Sequence, residues 1–594
     1  MVNQDKYTNR EIAHLLRSIA AAYLIKKENR FKIIAYENSA EVVEKLAREI
    51  KDVWKEGKIY SIDGIGQKIG SCLDGYLKTG QSKHFQTILK GIPESVFEMM
   101  KIPSVGPMKA YDLAKKLNIN NKNTAIKELI KAVKHNKIAS LDKFGKKSQT
   151  TILDGIKIYK KRRTKTIRTP LPFAYQGAIE IKQYLLKNSY IKKVEILGSL
   201  RRMCTTIGDV DIAIEVSDNN KKTVIQYILD YPHKISVDNA GLNKISLIIT
   251  SGMRVDIRLQ KKVTFGTLLQ YLTGSKLHNI RLREYAQKKG LSISEYGIKE
   301  IKKGKKMVNH VYANEKDLYN FLGLKYIPAE IREGTNEIEV FQKKALQLIN
   351  LKDIKGDFHI HSNYQIKSSH DYGTASYSQI ADYATKLKYD YVGFADHNPR
   401  ITGHDKDDII AILKKRKETI KNQMKGKKIK YFIGLEVDIL TNGTLAIPQE
   451  GFKYLDYVVV GIHSSFSKGV KDMTNRVIKG LNNKKVKVLA HPTGRLIGKR
   501  EGFELNWNKI FSFCKVRNIA IEINSWPERL DLPDTLVKKA INSGVKLIIN
   551  TDAHDNSHMD NMFYGVSVAR RGWAEKTDII NTYSIKDLEK WIRR

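Results

Sequence analysis

The sequence contains little cysteine, and its three cysteines are widely separated. Cys72, Cys204 and Cys514 form no C-x-x-C pair, so neither a disulfide framework nor a thiolate zinc site is predicted. This usage is typical of a reducing compartment, and we expect the protein in the cytoplasm.

Long apolar runs are also missing. No apolar stretch approaches the ~18 residues that a membrane-spanning helix needs, and the first residues lack a basic segment followed by an apolar one, as a secretory signal would have. We therefore expect no membrane association. The 41% hydrophobic content and 12 prolines indicate folded domains, because a disordered polycation would be poor in apolar side chains.

Acidic residues are the third shortage. There are 63 Asp and Glu against 105 Lys and Arg, which gives a formal net charge of +42. Such an excess predicts a polyanionic partner, with nucleic acid as the default, and therefore a nucleoid-associated location. A lysine-rich cytosolic protein or a membrane-surface protein could carry the same charge, so charge alone leaves the partner open. The length of 594 residues indicates about three to five domains.

The N-terminal region, residues 1 to about 160, has a helical pattern interrupted by glycine-rich turns. The three similar turns occupy residues 62–70, 102–109 and 144–148. Each precedes a helical stretch, where free backbone N–H groups favour a phosphate oxygen. An ordinary loop between packed helices would explain one such turn, but three in a basic region favour phosphate binding. A basic run at residues 160–165 is either a further phosphate contact or a solvated face.

A mixed α/β region follows, from about 170 to 326, and two of its strands carry aspartates. Asp209 and Asp211 lie two residues apart on one face of an alternating strand, and Asp256 has the same placement on a second strand. Neighbouring carboxylates repel one another unless cations lie between them, and Mg²⁺ prefers oxygen ligands. We predict two Mg²⁺ ions shared by the three, as in-line displacement at phosphate requires. A solvated D-x-D on a sheet edge is the alternative.

From residue 357 onward, short apolar strands alternate with helical segments. This alternation predicts parallel strands closed into a barrel, whose C-terminal strand ends collect chemistry. Several strands end in His or Asp, and the pairs His359/His361 and Asp552/His554 are spaced so that both members point the same way. A buried core histidine would explain one such residue but not so many. Imidazole and carboxylate donors without thiolates suit Zn²⁺, Mn²⁺ or Fe²⁺ and predict a hydrolytic site with two or three ions, for which we expect Mn²⁺ or Zn²⁺.

The central motifs carry a family resemblance. The segments G-S-L-R-R at 198–202, G-D-V-D at 208–211, R-V-D-I-R at 254–258 and Y-L-T-G-S at 271–275 resemble the signatures of family X DNA polymerases. The N-terminal glycine turns are similar to the helix-hairpin-helix region of that family. The resemblance implies a template-directed polymerase that fills short gaps in DNA repair, such as base excision repair, and whose partners are gapped or primer-template DNA and dNTPs.

The resemblance also implies residue roles. Asp209, Asp211 and Asp256 would be catalytic metal ligands. The nucleotide-binding residues would be Ser199, Arg202, Gly208, Arg168, Tyr271, Gly274 and Asn279. The DNA-binding residues would be Gly64, Gly66, Lys68, Gly106, Lys109, Gly145, Lys146, Arg258 and Arg283. Two departures stand out: Leu272 replaces an aromatic residue beside the sugar, and Cys72 replaces the lysine of members that excise a deoxyribose phosphate. Because a Schiff base needs an amine, lyase activity is not implied.

The C-terminal spacing resembles the polymerase and histidinol phosphatase (PHP) domain. The implied metal ligands are His359, His361, Asp371, His397, Glu436, His463, His491, Asp552 and His554. Asp371 lies in S-H-D-Y-G rather than S-D-G, so His370 is an alternative ligand. The complete set implies a Mn²⁺-stimulated 3′→5′ exonuclease, with abasic-site cleavage left open. A small-molecule phosphatase with an inactive polymerase-like half, and a non-catalytic DNA-end scaffold, are the competing hypotheses.

The predicted fold is therefore a multidomain α and α/β protein, and we expect a monomer. Its predicted parts are a helical DNA-end-binding domain (1–88), a helix-hairpin-helix duplex-binding subdomain (89–165), an α+β nucleotidyltransferase palm (166–260), a nucleotide-selecting subdomain (261–328), a linker (329–356) and a distorted (β/α) PHP barrel (357–594).

Overall fold

The structure is a computed structural model that describes residues 9–593 except 46–49, 56, 58, 63, 103–104, 143, 147, 154, 157–167 and 301–307. The basic run at 160–165 lies outside the described residues. The chain divides into two compact units. Unit 1 comprises Met1–Thr169, Phe173–Val194 and Gly208–Leu259, and unit 2 comprises Pro170–Pro172, Glu195–Ile207 and Gln260–Arg594.

The N-terminal part of unit 1 is helical, as the sequence predicts. Helices α1 and α2 pack against each other and share a core with α4 and α5, in which Leu16, Ile19, Leu73 and Phe85 are buried. A second core joins α6, α7 and α8. The helices are α1 (Asn9–Ile25), α2 (Arg30–Lys45), α3 (Ile50–Lys55), α4 (Gln67–Thr79), α5 (Lys83–Leu89), α6 (Glu94–Met99), α7 (Pro107–Lys116) and α8 (Ala125–Lys134).

The central region combines helices with short sheets. Its helices are α9 (Leu171–Leu185), α10 (Gly198–Arg201), α11 (Lys221–Leu229), α12 (Phe265–Thr273), α13 (Lys276–Gln287), α14 (Glu315–Phe321) and α15 (Glu337–Lys343). Its strands are β1 (Thr169–Pro170), β2 (Lys193–Ile196), β3 (Thr206–Ile207), β4 (Asp209–Glu215), β5 (Lys234–Ala240), β6 (Lys244–Ile249), β7 (Arg254–Gln260), β8 (Leu291–Ser294), β9 (Gly297–Glu300) and β10 (Asn309–His310).

A five-stranded sheet in the order β2-β4-β7-β6-β5 places the aspartate-bearing strands β4 and β7 side by side. The apolar residues Val210, Ile212 and Ile214 of β4 are fully buried, because alternate side chains of a strand share one face. Strands β6 and β7 are antiparallel, with Ser246 opposite Asp256. Strands β8, β9 and β10 form a separate antiparallel sheet.

The C-terminal part of unit 2 contains parallel strands and helices in alternation. The strands are β11 (Gly356–Ile360), β12 (Tyr391–Phe394), β13 (Lys430–Ile433), β14 (Glu436–Asp438), β15 (Val458–Gly461), β16 (Val486–Leu489), β17 (Ala520–Asn524) and β18 (Leu547–Asn550). The helices are α16 (Tyr377–Lys386), α17 (Lys406–Gln423), α18 (Val470–Gly480), α19 (Trp507–Arg517), α20 (Asp534–Asn542), α21 (Met562–Arg571) and α22 (Ile585–Arg593).

These strands form two parallel sheets, β11-β12-β13 and β14-β15-β16-β17-β18. Two isolated parallel bridges join the sheets, His397 with Glu436 and Ile360 with Ala553. The predicted barrel is thereby confirmed, and its distortion lies at these two junctions. Among the described residues, no helix is both long enough and apolar enough to cross a membrane.

Candidate active sites

The aspartates of unit 1 lie on neighbouring strands and affect one another. Asp209 is exposed, Asp211 is partly buried, and Asp256 is 8% exposed. Burial and the charges of Asp209 and Asp256 raise the pKa of Asp211 to about 6. Such a shift marks carboxylates that are held close together without full compensation.

Asp256 has cationic partners within its own sheet. Its carboxylate accepts from Lys244 Nζ at 2.6 Å and from Arg254 Nε at 3.1 Å. Burial acts to raise the pKa of Asp256, but the hydrogen bonds from Lys244, Ser246 and Arg254 outweigh it and lower the value. Of the described residues, the groups whose ligand atoms all lie within 4.8 Å of one another are in the barrel, so the three aspartates do not form one.

In unit 2, Arg202 lies against the turn between α12 and α13. Arg202 Nη1 donates to the carbonyl of Thr273 at 2.6 Å, and its Nε lies 3.1 Å from Glu333 Oε1. Gly274 has a φ of 67°, and a Cβ there would lie 3.3 Å from Arg202 Nη1. Glycine therefore suits both the left-handed backbone and the close approach of the guanidinium.

Other predicted nucleotide-binding residues belong to the same part of unit 2. Ser199 lies in the short helix α10 that Arg202 follows. Asn279 donates from Nδ2 to the carbonyl of Tyr271 at 2.7 Å, which fixes the amide beside the tyrosine. Arg283 donates from Nε to the carbonyl of Asn279 at 3.1 Å. The sequence motifs at 198–202 and 271–279 are thus brought together in space.

The remaining two predicted nucleotide-binding residues meet in unit 1. A Cβ at Gly208 would lie 3.2 Å from Arg168 Nη1. The Arg168 guanidinium therefore lies close to the main chain of Gly208, and a side chain at position 208 would push that guanidinium away.

In the barrel, the predicted ligands converge on one carboxylate. Glu436 is the first residue of β14, and its side chain is 1% exposed. Ring nitrogens of five histidines lie 2.8 to 3.7 Å from the Glu436 oxygens. These histidines are His359, His361, His397, His463 and His491. Each lies at or just beyond the C-terminal end of a strand, where barrel sites are found.

The other predicted acidic ligands, Asp552 and Asp371, extend this cluster on both sides. Asp552 Oδ1 lies 3.1 Å from His361 Nε2 and 3.5 Å from His359 Nε2. Asp371, whose side chain is 79% exposed, lies 3.6 Å from both His397 Nε2 and His554 Nε2. Asp552 has a φ of 56°, a conformation that costs free energy in non-glycine residues and is found where a site needs a particular direction.

Several donor atoms of the cluster fit divalent cations. Buried ring nitrogens of five histidines, and Glu436 Oε2, make no hydrogen bond of suitable geometry within the described chain, although His397 Nδ1 and His359 Nε2 lie 2.8 and 3.3 Å from Glu436 Oε2. Buried polar atoms are almost always satisfied, so this concentration indicates ligand positions. The four groups within ligand reach of one another are His361/His397/His554, His359/His361/Asp552, His370/Asp438/His463 and His397/Glu436/His463. The donor set of imidazole and carboxylate is one that Zn²⁺ and Mn²⁺ accept.

Glu436 also controls the charge of its neighbours. Burial acts to lower the pKa of His397 and of His463, but Glu436 outweighs it, together with Asp371 at His397 and Asp438 at His463, and the two values rise to about 10 and about 9. Burial, together with His554 and His397, lowers the pKa of His361 to about 3. Protons and metal ions therefore compete for this cluster, because only a neutral imidazole is a ligand.

Comparison with known proteins agrees with this arrangement. Three family descriptions match the chain: a helix-hairpin-helix domain over residues 7–82, the DNA polymerase beta thumb over 268–333, and the PHP domain over 357–526. The DNA polymerase/3′-5′ exonuclease PolX of Bacillus subtilis (strain 168) is 33% identical over 587 residues, which cover 98% of this chain and 99% of that protein. The chain belongs to the family X DNA polymerases with a PHP domain.

The barrel also has relatives outside this family. Probable phosphatases of Thermoanaerobacter sp. (strain X514) and Thermoanaerobacter pseudethanolicus are 24% identical over 236 residues, which cover 38% of this chain and 89% of each of those proteins. The family X match extends through the N-terminal half as well, so it accounts for more of the chain than the phosphatase match does.

The predicted DNA-binding turns of this family X chain are exposed. Gly66 and Gly106 immediately precede α4 and α7, and neither helix has a side chain that caps its N-terminus. Lys68 and Lys109 lie exposed in the first turns of these helices. Backbone N–H groups and a lysine are thus offered together at each turn, as phosphate binding needs. Gly64 has a φ of 83°, Gly145 and Lys146 are exposed, and Arg258 is partly buried in β7.

Residues that hold the barrel ligands escaped the sequence analysis. Glu522 Oε1 lies 2.8 Å from His359 Nδ1, and Asp438 Oδ1 lies 2.6 Å from His463 Nδ1. Such carboxylates fix the ring direction and tautomer of a ligating histidine. Asp438 also accepts from His370 Nε2 at 3.0 Å, so His370 faces Asp438 while Asp371 faces His397 and His554. The only sequence signal for Asp438 was its position two residues after Glu436.

Unit 2 also contains an arginine arrangement that sequence reasoning did not single out. Arg332 is fully buried and lies 2.7 Å from Glu315 Oε1. Arg201 Nη2 lies 2.5 Å from Glu315 Oε2. This triad fastens α10 to α14, since a buried carboxylate needs paired donors, and it holds the adjacent Ser199 and Arg202 in place.

The shifted pKa of Asp211 predicts a pH-dependent gain in stability for Asp211→Asn. Because the folded pKa of about 6 lies above the unfolded value, ionisation of Asp211 destabilises the fold as pH rises through 6. Without divalent cations, the substitution should raise the free energy of unfolding by about 1 to 2 kcal/mol at pH 7.5 and by much less at pH 4. Urea unfolding in EDTA at the two pH values measures the difference. An equal change at both would contradict the like-charge explanation.

Proposed function

We propose that this chain fills short gaps in DNA repair, including base excision repair, and trims 3′ ends with its barrel. The observation that carries the proposal is the placement of Asp209, Asp211 and Asp256 on adjacent strands of unit 1, with the pKa of Asp211 raised by burial and by the other two carboxylates. A phosphatase has no use for these carboxylates. Their presence in the same chain as the complete barrel cluster supports two activities.

In the proposed synthesis, the primer 3′-oxygen attacks the α-phosphorus of a dNTP and pyrophosphate leaves. Arg202, Ser199, the Gly208 main chain and Arg168 would bind the triphosphate, since forked guanidinium donors suit phosphate oxygens. Tyr271 and Gly274 would contact the sugar, and Asn279 would reach the base edge. Mg²⁺ held by Asp209, Asp211 and Asp256 would supply acidification of the 3′-hydroxyl and charge neutralisation at pyrophosphate.

In the proposed degradation, water attacks the terminal phosphodiester and the 3′-oxygen of the preceding nucleotide leaves. Two or three Mn²⁺ or Zn²⁺ ions, held by the nine predicted ligands that include Glu436, would supply activation of that water and charge neutralisation. Glu522 and Asp438 hold His359 and His463 in the ligating direction. Arg529 Nε lies 3.7 Å from Asp552 Oδ2, where a guanidinium can contact a phosphate. Abasic-site cleavage is a further reaction that the same cluster could perform.

The finer organisation belongs to the same proposal. We take the six parts as bounded at residues 88, 165, 260, 328 and 356, with the chain acting as a cytoplasmic, nucleoid-associated monomer. The glycine turns before α4 and α7 would bind the DNA backbone, and Arg258 and Arg283 would contact the template region. Binding through phosphates should weaken steeply with added salt.

A one-nucleotide gap bearing a 5′-phosphate tests the proposed function. We expect the intact protein to insert the templated nucleotide in the presence of Mg²⁺ and dNTPs, and to shorten the primer when dNTPs are withheld and Mn²⁺ is present. Histidinol phosphate serves as the comparison substrate. Release of inorganic phosphate from it, without extension or shortening of the primer, would favour the phosphatase alternative instead.

A further inference from the structure

Arg202 is joined to the barrel by a series of ion pairs within unit 2. Glu333 Oε1 lies 3.1 Å from Arg202 Nε and 2.9 Å from Arg571 Nη1. One carboxylate oxygen therefore receives donors from both guanidinium groups. Arg571 is the last residue of α21, a helix of the PHP barrel, so the barrel contributes directly to the surroundings of Arg202.

Arg571 also contacts the main chain of Arg202. Its Nη1 donates to the Arg202 carbonyl at 2.6 Å. Arg571 thus fixes Arg202 twice, through the backbone oxygen and through Glu333. The Arg202 guanidinium is fixed a third time by its bond to the Thr273 carbonyl, which leaves little freedom for the side chain.

The position of Arg571 is itself determined by the barrel. Its Nη2 lies 2.7 Å from Asp534 Oδ2, and its Nε donates to the same oxygen at 2.8 Å. Asp534 is the first residue of α20. The Arg571 side chain is 8% exposed, and a buried guanidinium with two carboxylate partners holds its geometry well because its donors form a rigid fork.

We propose that Arg571 and Glu333 position Arg202 for the triphosphate, so that the PHP barrel forms a structural part of the nucleotide site. The inference rests on the proposed function, in which Arg202 binds the dNTP. Arg571 does not touch the nucleotide in this proposal. It is a positioning residue that acts through Glu333 and through the Arg202 carbonyl.

The neighbouring Arg570 provides a matched control. Arg570 Nε lies 2.7 Å from Glu330 Oε1, and its Nη1 donates to the Ile349 carbonyl at 2.8 Å. It therefore fastens the same helix to the residues that precede the barrel, without any contact to Arg202 or Glu333. Substitution of either arginine would weaken the attachment of this helix to the rest of unit 2, whereas only substitution of Arg571 would disturb the position of Arg202.

The test compares Arg571→Gln, Arg571→Lys and Arg570→Gln in the full-length protein on the one-nucleotide gap. We expect Arg571→Gln to raise KM for the dNTP about tenfold, the effect of losing one charge-assisted hydrogen bond, with a smaller change in kcat. Arg571→Lys should recover part of the loss, because an ammonium can keep one contact but not the fork. Arg570→Gln should leave KM within about twofold.

Three further measurements separate positioning from damage. The dissociation constant for gapped DNA without dNTP, the 3′ shortening rate and the unfolding temperature should be alike in Arg571→Gln and Arg570→Gln. Glu333→Ala gives an independent route if Arg571→Gln folds poorly. The double variant Arg571→Gln/Glu333→Ala should have a KM for the dNTP no higher than that of the more affected single variant, since both residues act through one network.

The outcomes are distinguishable. If Arg202→Gln raises KM for the dNTP but Arg571→Gln and Glu333→Ala match Arg570→Gln, the positioning role is overturned while the proposed function stands. If Arg202→Gln leaves KM unchanged, the assignment of Arg202 to the triphosphate fails, and the inference fails with it.

Discussion

Replacement of Asp209 and Asp211 by alanine will abolish nucleotide insertion and leave 3′ trimming intact. The two side chains lie on β4 beside Asp256 on β7, and they are the acidic groups available to bind cations at the proposed polymerase site. Loss of a metal that stabilises the transition state costs several kcal/mol, or about a thousandfold or more in rate. Primer extension across a one-nucleotide gap measures synthesis, and primer shortening without dNTPs measures trimming.

Asp230→Ala is the control for this experiment. Asp230 is an exposed aspartate of the same unit that accepts a hydrogen bond from Gln226 at 3.0 Å, and its loss removes one negative charge without touching β4. Extension should remain at the level of the unaltered protein. Extension by the double aspartate variant at more than a few per cent of that level would contradict the role given to the carboxylates.

The sequence was sufficient for local features that repeat with the period of a strand. Asp209 and Asp211, like His359 and His361, are two residues apart, so their common face followed from the strand pattern alone. The barrel followed from alternation of apolar strands and helices. The fold class and the family resemblance are both confirmed. Both could be predicted because each rests on patterns within a few tens of residues.

Features that depend on distant contacts could not be predicted in this way. Glu522 lies 163 residues from the His359 that it holds, and Arg571 lies 369 residues from the Arg202 carbonyl. No local pattern records which of many glutamates or arginines will face a given partner once the chain has folded. The sequence also could not decide whether His370 or Asp371 is the ligand, because the side chains of adjacent loop residues can point in either direction.

The aspartate site and the barrel cluster differ in which protein groups already contact their predicted metal ligands. The barrel donors gather around Glu436 with ring nitrogens that make no hydrogen bond of suitable geometry within the described chain, whereas Asp256 is held by Lys244 and Arg254. A cation at the aspartates must therefore compete with two protein cations, whereas a cation in the barrel competes with protons on His397 and His463, whose pKa values are raised to about 10 and about 9.

Replacement of His359 by alanine will abolish 3′ trimming and leave nucleotide insertion intact. His359 is completely buried, and its two ring nitrogens lie between Glu522 on one side and Glu436 and Asp552 on the other. Its removal takes away a metal donor and one of the hydrogen-bond partners of the buried Glu522, which costs about 1 to 3 kcal/mol. Glu522 keeps its hydrogen bonds from Asn524, Asn550 and the His491 main chain. We expect at least about a thousandfold loss of trimming and a lower bound-metal content by elemental analysis.

His404→Ala and His359→Gln complete the comparison. His404 is a partly exposed histidine of the same barrel, with Nδ1 3.1 Å from the Arg400 carbonyl and no place among the predicted ligands, so its loss should change neither metal content nor trimming. His359→Gln keeps a polar group opposite Glu522 and should recover stability without recovering trimming, because an amide is a poor ligand for Zn²⁺ or Mn²⁺ compared with imidazole. Trimming that persists in both His359 variants, with the metal content unchanged, would show that the cluster around Glu436 does not perform the hydrolysis.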